Sequence, residues 1–299
     1  MSARSGPAIS VLVATRDRPA RLQACVDSLL ALEHESFEIV VVDQSESPAE
    51  LPDDERLVYV HSSTRGKSAG LNIGLSTARG DVLAFTDDDC TVPADWLTVA
   101  ETVLADHPEV ELVFGDLETI EHDPRQVFIP PARQGTFRIV SRPLSAYRRG
   151  GAGADMVARR SLFRRIGGYD ELIGPGSRIP ACEEYDIYYR SLVAGAAVAF
   201  APELTALHWG ARPYADGSGQ MLLRWYAYGE GAVLGKHVRL GDPRILAAAG
   251  RILLEDIGVI VDSLLHRRLS GLGTLAYKVR GFGRGLMTPV DRRRRVFDP

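Results

Sequence analysis

The chain has 299 residues, 45% hydrophobic and 25% charged, with a net charge of −4. These values exclude a disordered or fibrous chain and allow one large α/β domain with appended helices, or two small domains. The charge is uneven: from Leu264 to the end nine Lys/Arg oppose two Asp, so this segment carries +7 and the remainder −11. Basic charge in a tail, away from an acidic centre, argues against a nucleic-acid enzyme and suits a divalent cation. Cys25, Cys90 and Cys182 lie far apart, in neither a disulfide nor a zinc pattern. The first residues run through Arg4, Gly6 and Pro7 into an apolar run without a signal-peptide pattern. Both features predict a reducing, cytoplasmic setting.

The first half alternates apolar runs with helical spacing. Strands are predicted over 9–14, 37–42, 57–60, 82–85 and 111–114, and helices over 21–32, 68–77 and 96–104. Strands buried on both faces and separated by helices predict a mostly parallel sheet with right-handed crossovers. The stretch 118–149, rich in Pro, Arg and Gln, reads as a long loop or β-excursion over the site. A glycine-rich stretch, a short strand and a helix over 161–166 follow, then a helix over 183–194 and a strand over 196–201. Beyond Gly210 the pattern is helical. The apolar run 245–265 is interrupted by Arg251, Glu255, Asp256 and Asp262, which predicts an amphipathic or packed helix rather than a spanning one.

In such sheets ligands bind beyond the carboxyl ends of the strands. Thr15, Asp43 and Asp87 therefore come first. Phe85-Thr86-Asp87-Asp88-Asp89-Cys90 drives an apolar strand into three carboxylates, whose repulsion needs a cation or hydrogen-bond donors. Hard oxygen ligands favour Mg²⁺ or Mn²⁺, although an acidic turn in solvent has the same composition. Asp43 ends the run Glu38–Asp43, where a carboxylate accepts hydrogen bonds from a base or ribose, or shapes a turn. Lys67, at a glycine-containing helix entry that is not a P-loop, offsets diphosphate charge. In Cys182-Glu183-Glu184-Tyr185-Asp186, helical spacing puts Glu183 and Asp186 on one face and Glu184 elsewhere. One of these acids can serve as a base while another is structural, or all can complement a helix N-terminus. His208, Trp209, Trp225 and Tyr226 read first as packing or lid residues.

Taken in order, these segments resemble the family 2 glycosyltransferases of the inverting GT-A fold, over about residues 8–212. The resemblance implies a Rossmann-like central sheet flanked by helices and a helical C-terminal extension over 213–299 with a basic tail. Residues 8–117 would bind nucleotide, and 118–212 would form the acceptor and catalytic part. Ser10–Arg16 is similar to the opening strand and nucleotide loop, so Thr15 and Arg16 are implied donor contacts. Asp43 corresponds to the base-recognising aspartate, followed here by Gln44 where many members have a second Asp. Lys67 with Leu71-Asn72 resembles the next motif. Asp87-Asp88-Asp89 resembles the DxD element that binds nucleotide sugar through Mn²⁺ or Mg²⁺. Asp87 and Asp89 are then metal ligands, His208 a third, and Asp88 a nucleotide contact or a support.

Gly151 to Arg160 and Gly167-Gly168-Tyr169-Asp170-Glu171 resemble the glycine-rich segment and the Gly-Gly-Phe-Asp-Glu motif. Gly151, Asp155 (where Asn is frequent) and Glu183 fall on the acceptor or sugar side. Glu183-Glu184-Tyr185-Asp186 resembles the Glu-Asp-x-Asp motif and puts the catalytic base on Glu184, a Glu in place of the usual Asp. The implied partners are a nucleotide-diphosphate sugar and a glycan, lipid-linked or small-molecule acceptor, with no nucleic acid. The apolar helix and Arg292–Arg295 add a peripheral contact with an anionic membrane as an expectation, against a packed helix with a solvated tail. A nucleotidyltransferase-like enzyme and an inactive nucleotide-sugar-binding member are the competing classes.

Overall fold

β1 (Ile9–Thr15) and β2 (Phe37–Asp43) are buried along nearly their whole length, as continuous apolar runs require when helices cover both faces of a sheet. The computed structural model describes residues 7–143, 150–266 and 271–298. Its main sheet has nine strands. β3 (Leu57–His61), β2, β1 and β4 (Val82–Phe85) are neighbours in that order and all parallel. β9 (Met156–Arg159) enters antiparallel between β4 and β6 (Val110–Thr119). β6 pairs in parallel with β10 (Ala197–His208), which also takes β5 (Cys90–Thr91) and β8 (Arg138–Val140) antiparallel.

Alternation along the strands sorts side chains into two cores. Ile9, Val11 and Val13 pack with α1 (Pro19–Leu30) and α3 (Trp96–Asp106). Leu12, Val40 and Val42 face the opposite layer, which holds α2 (Lys67–Thr77), α4 (Arg160–Ile166) and α5 (Glu183–Val193). The expected mostly parallel sheet is present. Two strands run further than their apolar segments suggest. β6 continues to Thr119, and β10 reaches His208 after a register shift between Phe200 and Thr205. The expected excursion over 118–149 contains β7 (Val127–Phe128), which pairs with β11 (Arg212–Pro213), and β8. Its last part, 144–149, lies outside the described residues, as do Arg4 and Gly6.

The C-terminal third folds as α6 (Ser218–Arg239), α7 (Arg244–Leu265) and α8 (Leu272–Met287). α6 and α8 approach backbone to backbone. A Cβ on Gly281 would collide with the Tyr228 carbonyl, and one on Gly231 with the Lys278 carbonyl. Ala232, Val233, Leu234, Ile245 and Ile252 join the same core as α5, so this core continues across the expected boundary at 212. The basic run is largely exposed to solvent but is not a free tail. Arg292–Arg295 form the turn of a hairpin between β12 (Val290–Asp291) and β13 (Val296–Phe297). Asp291 accepts the amides of Arg293 and Arg294, and Phe297 is buried in the core. The apolar Val296 and Phe297 give the chain enough burial to fold back. Among the described residues no helix is long and apolar enough to cross a membrane.

Candidate active site

A cavity of about 760 Å³ opens beyond the carboxyl ends of β1 and β4. Its walls include Thr15, Arg16, Gln44, Lys67, Asp87, Asp88, Asp89, Gly151, Glu183, Glu184 and His208. The structure thus brings together nearly every side chain singled out from the sequence. Gly151 is glycine for a packing reason: a Cβ there would collide with the Phe114 side chain.

The three aspartates have different surroundings. Asp88 is buried and accepts the Thr15 hydroxyl at 2.7 Å and Arg18 Nη1 at 3.0 Å, tying the loop after β1 to the end of β4. Asp87 is partly exposed and pairs with Lys67 Nζ at 2.5 Å. Asp89 is buried beside three guanidinium groups, Arg21 at 3.0 Å, Arg18 at 3.5 Å and Arg212 at 3.6 Å, and His208 Nε2 lies 3.4 Å away. Burial works against its charge, but His208, Arg18 and Arg212 outweigh it and hold this carboxyl far below the usual range.

His208 reaches Asp89 because β5 and β10 pair with Cys90 opposite His208. Asp89, Cys90 and His208 place potential ligand atoms within 4.8 Å of one another. Burial pushes the Cys90 thiol well up, and nearby Asp87 and Asp89 push it further, so Cys90 stays protonated and is a poor ligand. The carboxylate and imidazole of Asp89 and His208 are chemically suited to a divalent ion.

The second acidic cluster divides its work as well. Glu183 pairs with Lys67 Nζ at 3.2 Å, so Lys67 joins the two clusters. Burial lowers the Lys67 pKa, but Asp87 and Glu183 more than reverse that and keep it charged. Asp186 does not share a partner with Glu183. It points into the core, onto Lys236 at 2.5 Å, Arg190 at 2.8 Å and His237 at 3.1 Å. Glu184 lines the cavity, and among the described residues no side chain pairs with it. Desolvation, then repulsion from Glu183, pushes Glu184 up to about 8. Cys182, the residue that precedes α5, is held at φ 76°, a left-handed conformation that costs a non-glycine residue about 1–2 kcal/mol.

Two sequence-derived site residues are not brought into the cavity. Asp43 is fully buried and accepts Ser45 N and Ala49 N, each at 2.9 Å, and the Tyr59 hydroxyl at 2.6 Å. Its oxygens shape the turn after β2, and Gln44 faces the cavity instead. Asp155 lies beneath the site in the core. Trp96 Nε1 donates to its Oδ1 at 2.9 Å, and Oδ2 has no partner among the described residues. Burial pushes this carboxyl up to about 8. A folded-state pKa above the unfolded value contributes stability that is full below about pH 4 and is lost as pH rises through 8. Asp155→Asn is therefore expected to raise the melting temperature at pH 9 and leave it nearly unchanged at pH 4. Parallel melting curves for both proteins across that range would remove Asp155 as the cause.

Sequence reasoning missed Arg18, Arg21 and Arg212, which surround Asp89. Arg18 and Arg21 stand three apart at the start of α1, a spacing that signals a shared face; Arg212 has no comparable signal. It also missed Leu222 and Glu230 of α6, which line the cavity together with Tyr226, read from the sequence as a packing or lid residue.

Residues 10–165 match glycosyl transferase family 2. Among curated proteins, the chain is 27% identical over 217 residues to the pre-mycofactocin glycosyltransferase of Mycobacterium tuberculosis (strain CDC 1551 / Oshkosh), covering 68% of this chain and 44% of that protein. It is 26% identical over 178 residues to the glucosyl-dolichyl phosphate glucuronosyltransferase of Haloferax volcanii, covering 56% of this chain and 57% of that one. The chain thus spans about half the length of these relatives. The mannosyltransferase PcManGT from Pyrobaculum calidifontis, solved in complex with GDP-Man and Mn²⁺, superposes with a TM-score of 0.59 at 17% identity, over 95% of this chain and 88% of that one. S. aureus TarS 1–349 in complex with UDP-GlcNAc gives 0.51 at 15% identity, over 73% and 65%. These two structures share the fold of a mostly parallel sheet flanked by helices, and with more than half of its residues matching that family, the chain belongs to glycosyl transferase family 2.

Proposed function

We propose that the protein is an inverting glycosyltransferase that moves a sugar from a nucleotide-diphosphate sugar to an acceptor hydroxyl. One observation carries this reading: Glu184, a carboxylate without a side-chain partner among the described residues and pushed up to about 8, lines the same cavity as Asp87, Asp88 and Asp89. A general base needs both access and a pKa near working pH. Glu184 takes the acceptor's proton as the acceptor oxygen bonds to the anomeric carbon. The bond from that carbon to the diphosphate oxygen breaks, and the nucleoside diphosphate leaves with the electron pair. Attack opposite the leaving group inverts the centre.

The donor's diphosphate is assigned to the end of the cavity beside Asp87 and Asp89, where Lys67, Arg18 and Arg212 offset its charge. Thr15, Arg16 and Gln44 stand where a nucleoside would lie, at the strand ends. Asp89 and His208, with the partly exposed Asp87 beside them, would hold Mn²⁺ or Mg²⁺. When bound, that ion supplies positive charge to the diphosphate as it departs. Gly151, Glu183 and the α6 residues Leu222 and Tyr226 are assigned to the acceptor end, for a glycan, lipid-linked or small-molecule hydroxyl. Residues 1–212 are proposed as the transferase unit, with α6 completing its cavity. The cavity's size suits a nucleotide sugar. GDP-Man and UDP-GlcNAc, the donors bound by the two structural neighbours, are the first to try.

The test is incubation with UDP-, GDP- and dTDP-sugars and Mn²⁺. One of them should yield nucleoside diphosphate and raise the melting temperature on binding. Pyrophosphate release from a nucleoside triphosphate and a sugar phosphate would instead assign the site to nucleotidyl transfer. Donor binding with no turnover against any acceptor class would favour an inactive binding member.

A further inference from the structure

α7 carries two apolar faces. Ile245, Ala248 and Ile252 are buried against the domain. Leu246, Leu253, Leu254, Ile257, Val261 and Leu265 recur at helical spacing on another side and are all exposed, Leu254 by 70% and Leu265 by 77%. With Gly250 and Gly258 they fill an arc of about 140° that contains no charge. Arg251, Glu255 and Asp262 lie together on a separate polar band. α8 repeats the pattern. Gly281 and Gly285 face α6, while Leu272, Val279 and Met287 are exposed. Lys278 Nζ, on α8, lies 2.5 Å from Asp256 on α7 and 2.9 Å from Glu230 on α6, so an ion pair ties α8 to α7.

An uncharged row of this length on a solvent-facing helix is unusual and marks an interaction surface. The charge beside it distinguishes between occupants. Arg280 and Arg284 flank the apolar row of α8, and Arg293 and Arg294 are exposed on the hairpin turn that follows. The segment from Leu264 onward carries +7. A second copy docking symmetrically would bring this basic edge near its own equivalent, whereas an anionic bilayer accepts both parts. Acyl chains take the leucines and headgroups take the arginines.

We propose that α7 and α8 together form a peripheral docking face for an anionic lipid bilayer. The contact lies on these helix faces, not on a free Arg292–Arg295 tail, and it does not depend on the catalytic reading above.

Flotation of the full chain with vesicles tests it. The protein should float with phosphatidylcholine vesicles containing phosphatidylglycerol, weakly with phosphatidylcholine alone, and less as salt rises. Leu254→Ser with Ile257→Ser should weaken flotation at least about tenfold, since each removes an apolar side chain from the contact. Both side chains are exposed, so an unchanged melting temperature confirms that the fold persists. Arg280→Glu with Arg284→Glu should remove the preference for anionic vesicles. Failure to float with either vesicle, or unchanged flotation of the serine variant, would overturn the proposal. A dimer in sedimentation equilibrium that the serine variant abolishes would reassign the face to a second copy.

Discussion

Glu184→Gln is expected to lower kcat by about 10²- to 10⁴-fold, the usual contribution of a positioned base, with the donor's dissociation constant changed by less than about twofold. The amide keeps the shape and cannot take a proton. Lys67, which holds the neighbouring acids Asp87 and Glu183, is untouched. The pH profile gives a second readout. Burial and Glu183 raise Glu184 to about 8, so the ionised, competent form grows as pH rises through that value. Wild-type kcat/KM should climb from pH 6 to pH 9, and the residual rate of the variant should be flat over that range. If the variant retained near-normal turnover, the base would have to be another group.

Lys236→Met is expected to destabilise the fold by about 3–5 kcal/mol, the cost of leaving a buried charge without its partner. Lys236 is fully buried in the last turn of α6, 2.5 Å from Asp186 on α5 and 2.9 Å from Asp170. Asp170 Oδ2 also accepts the Phe297 amide at 2.7 Å, which ties the C-terminal hairpin to the same point. Asp186 keeps Arg190, so Asp170 is the acid left exposed to the loss. Adding Asp170→Asn to Lys236→Met should therefore recover about 1 kcal/mol or more, measured by denaturant unfolding. A single variant costing less than about 1 kcal/mol would contradict this account. His237 does not substitute for the lysine: burial pushes it down to about 4, so it is neutral at pH 7 despite Asp186 beside it. Burial opposes the charge on Asp186, but Lys236 and Arg190 hold its carboxyl far below the usual range. The stability it contributes is present above about pH 4 and is lost on acidification.

This network also changes what a C-terminal deletion would report. Removing residues after Thr288 takes Phe297 out of the core beside α5 and leaves Asp170 with Lys236 but without the Phe297 amide. Such a deletion tests stability before it tests any membrane contact, which is why the vesicle experiment uses substitutions at exposed positions.

The sequence by itself determined the parallel sheet and the acids at the end of β4, because apolar runs and their periodicity record local geometry and burial. It also determined that Glu183, Glu184 and Asp186 open a helix. It could not apportion their roles, since spacing gives a direction around a helix and not what waits there: Lys67 for Glu183, the cavity for Glu184, Lys236 for Asp186.

Only the tertiary structure decided the rest. Asp43 and Asp155 carry the right chemistry at the right positions, yet their oxygens are directed to Tyr59 and Trp96. Asp89 meets His208 through the β5–β10 register, and Arg18, Arg21 and Arg212 converge on it from both ends of the family-like segment. Lys236 sits in a helix whose pattern gives no sign of a buried ion pair, and Arg292–Arg295 looked like a tail until Phe297 found a core. Each of these outcomes depends on contacts between residues distant in the chain, and a local hydrophobic pattern carries no record of such partners.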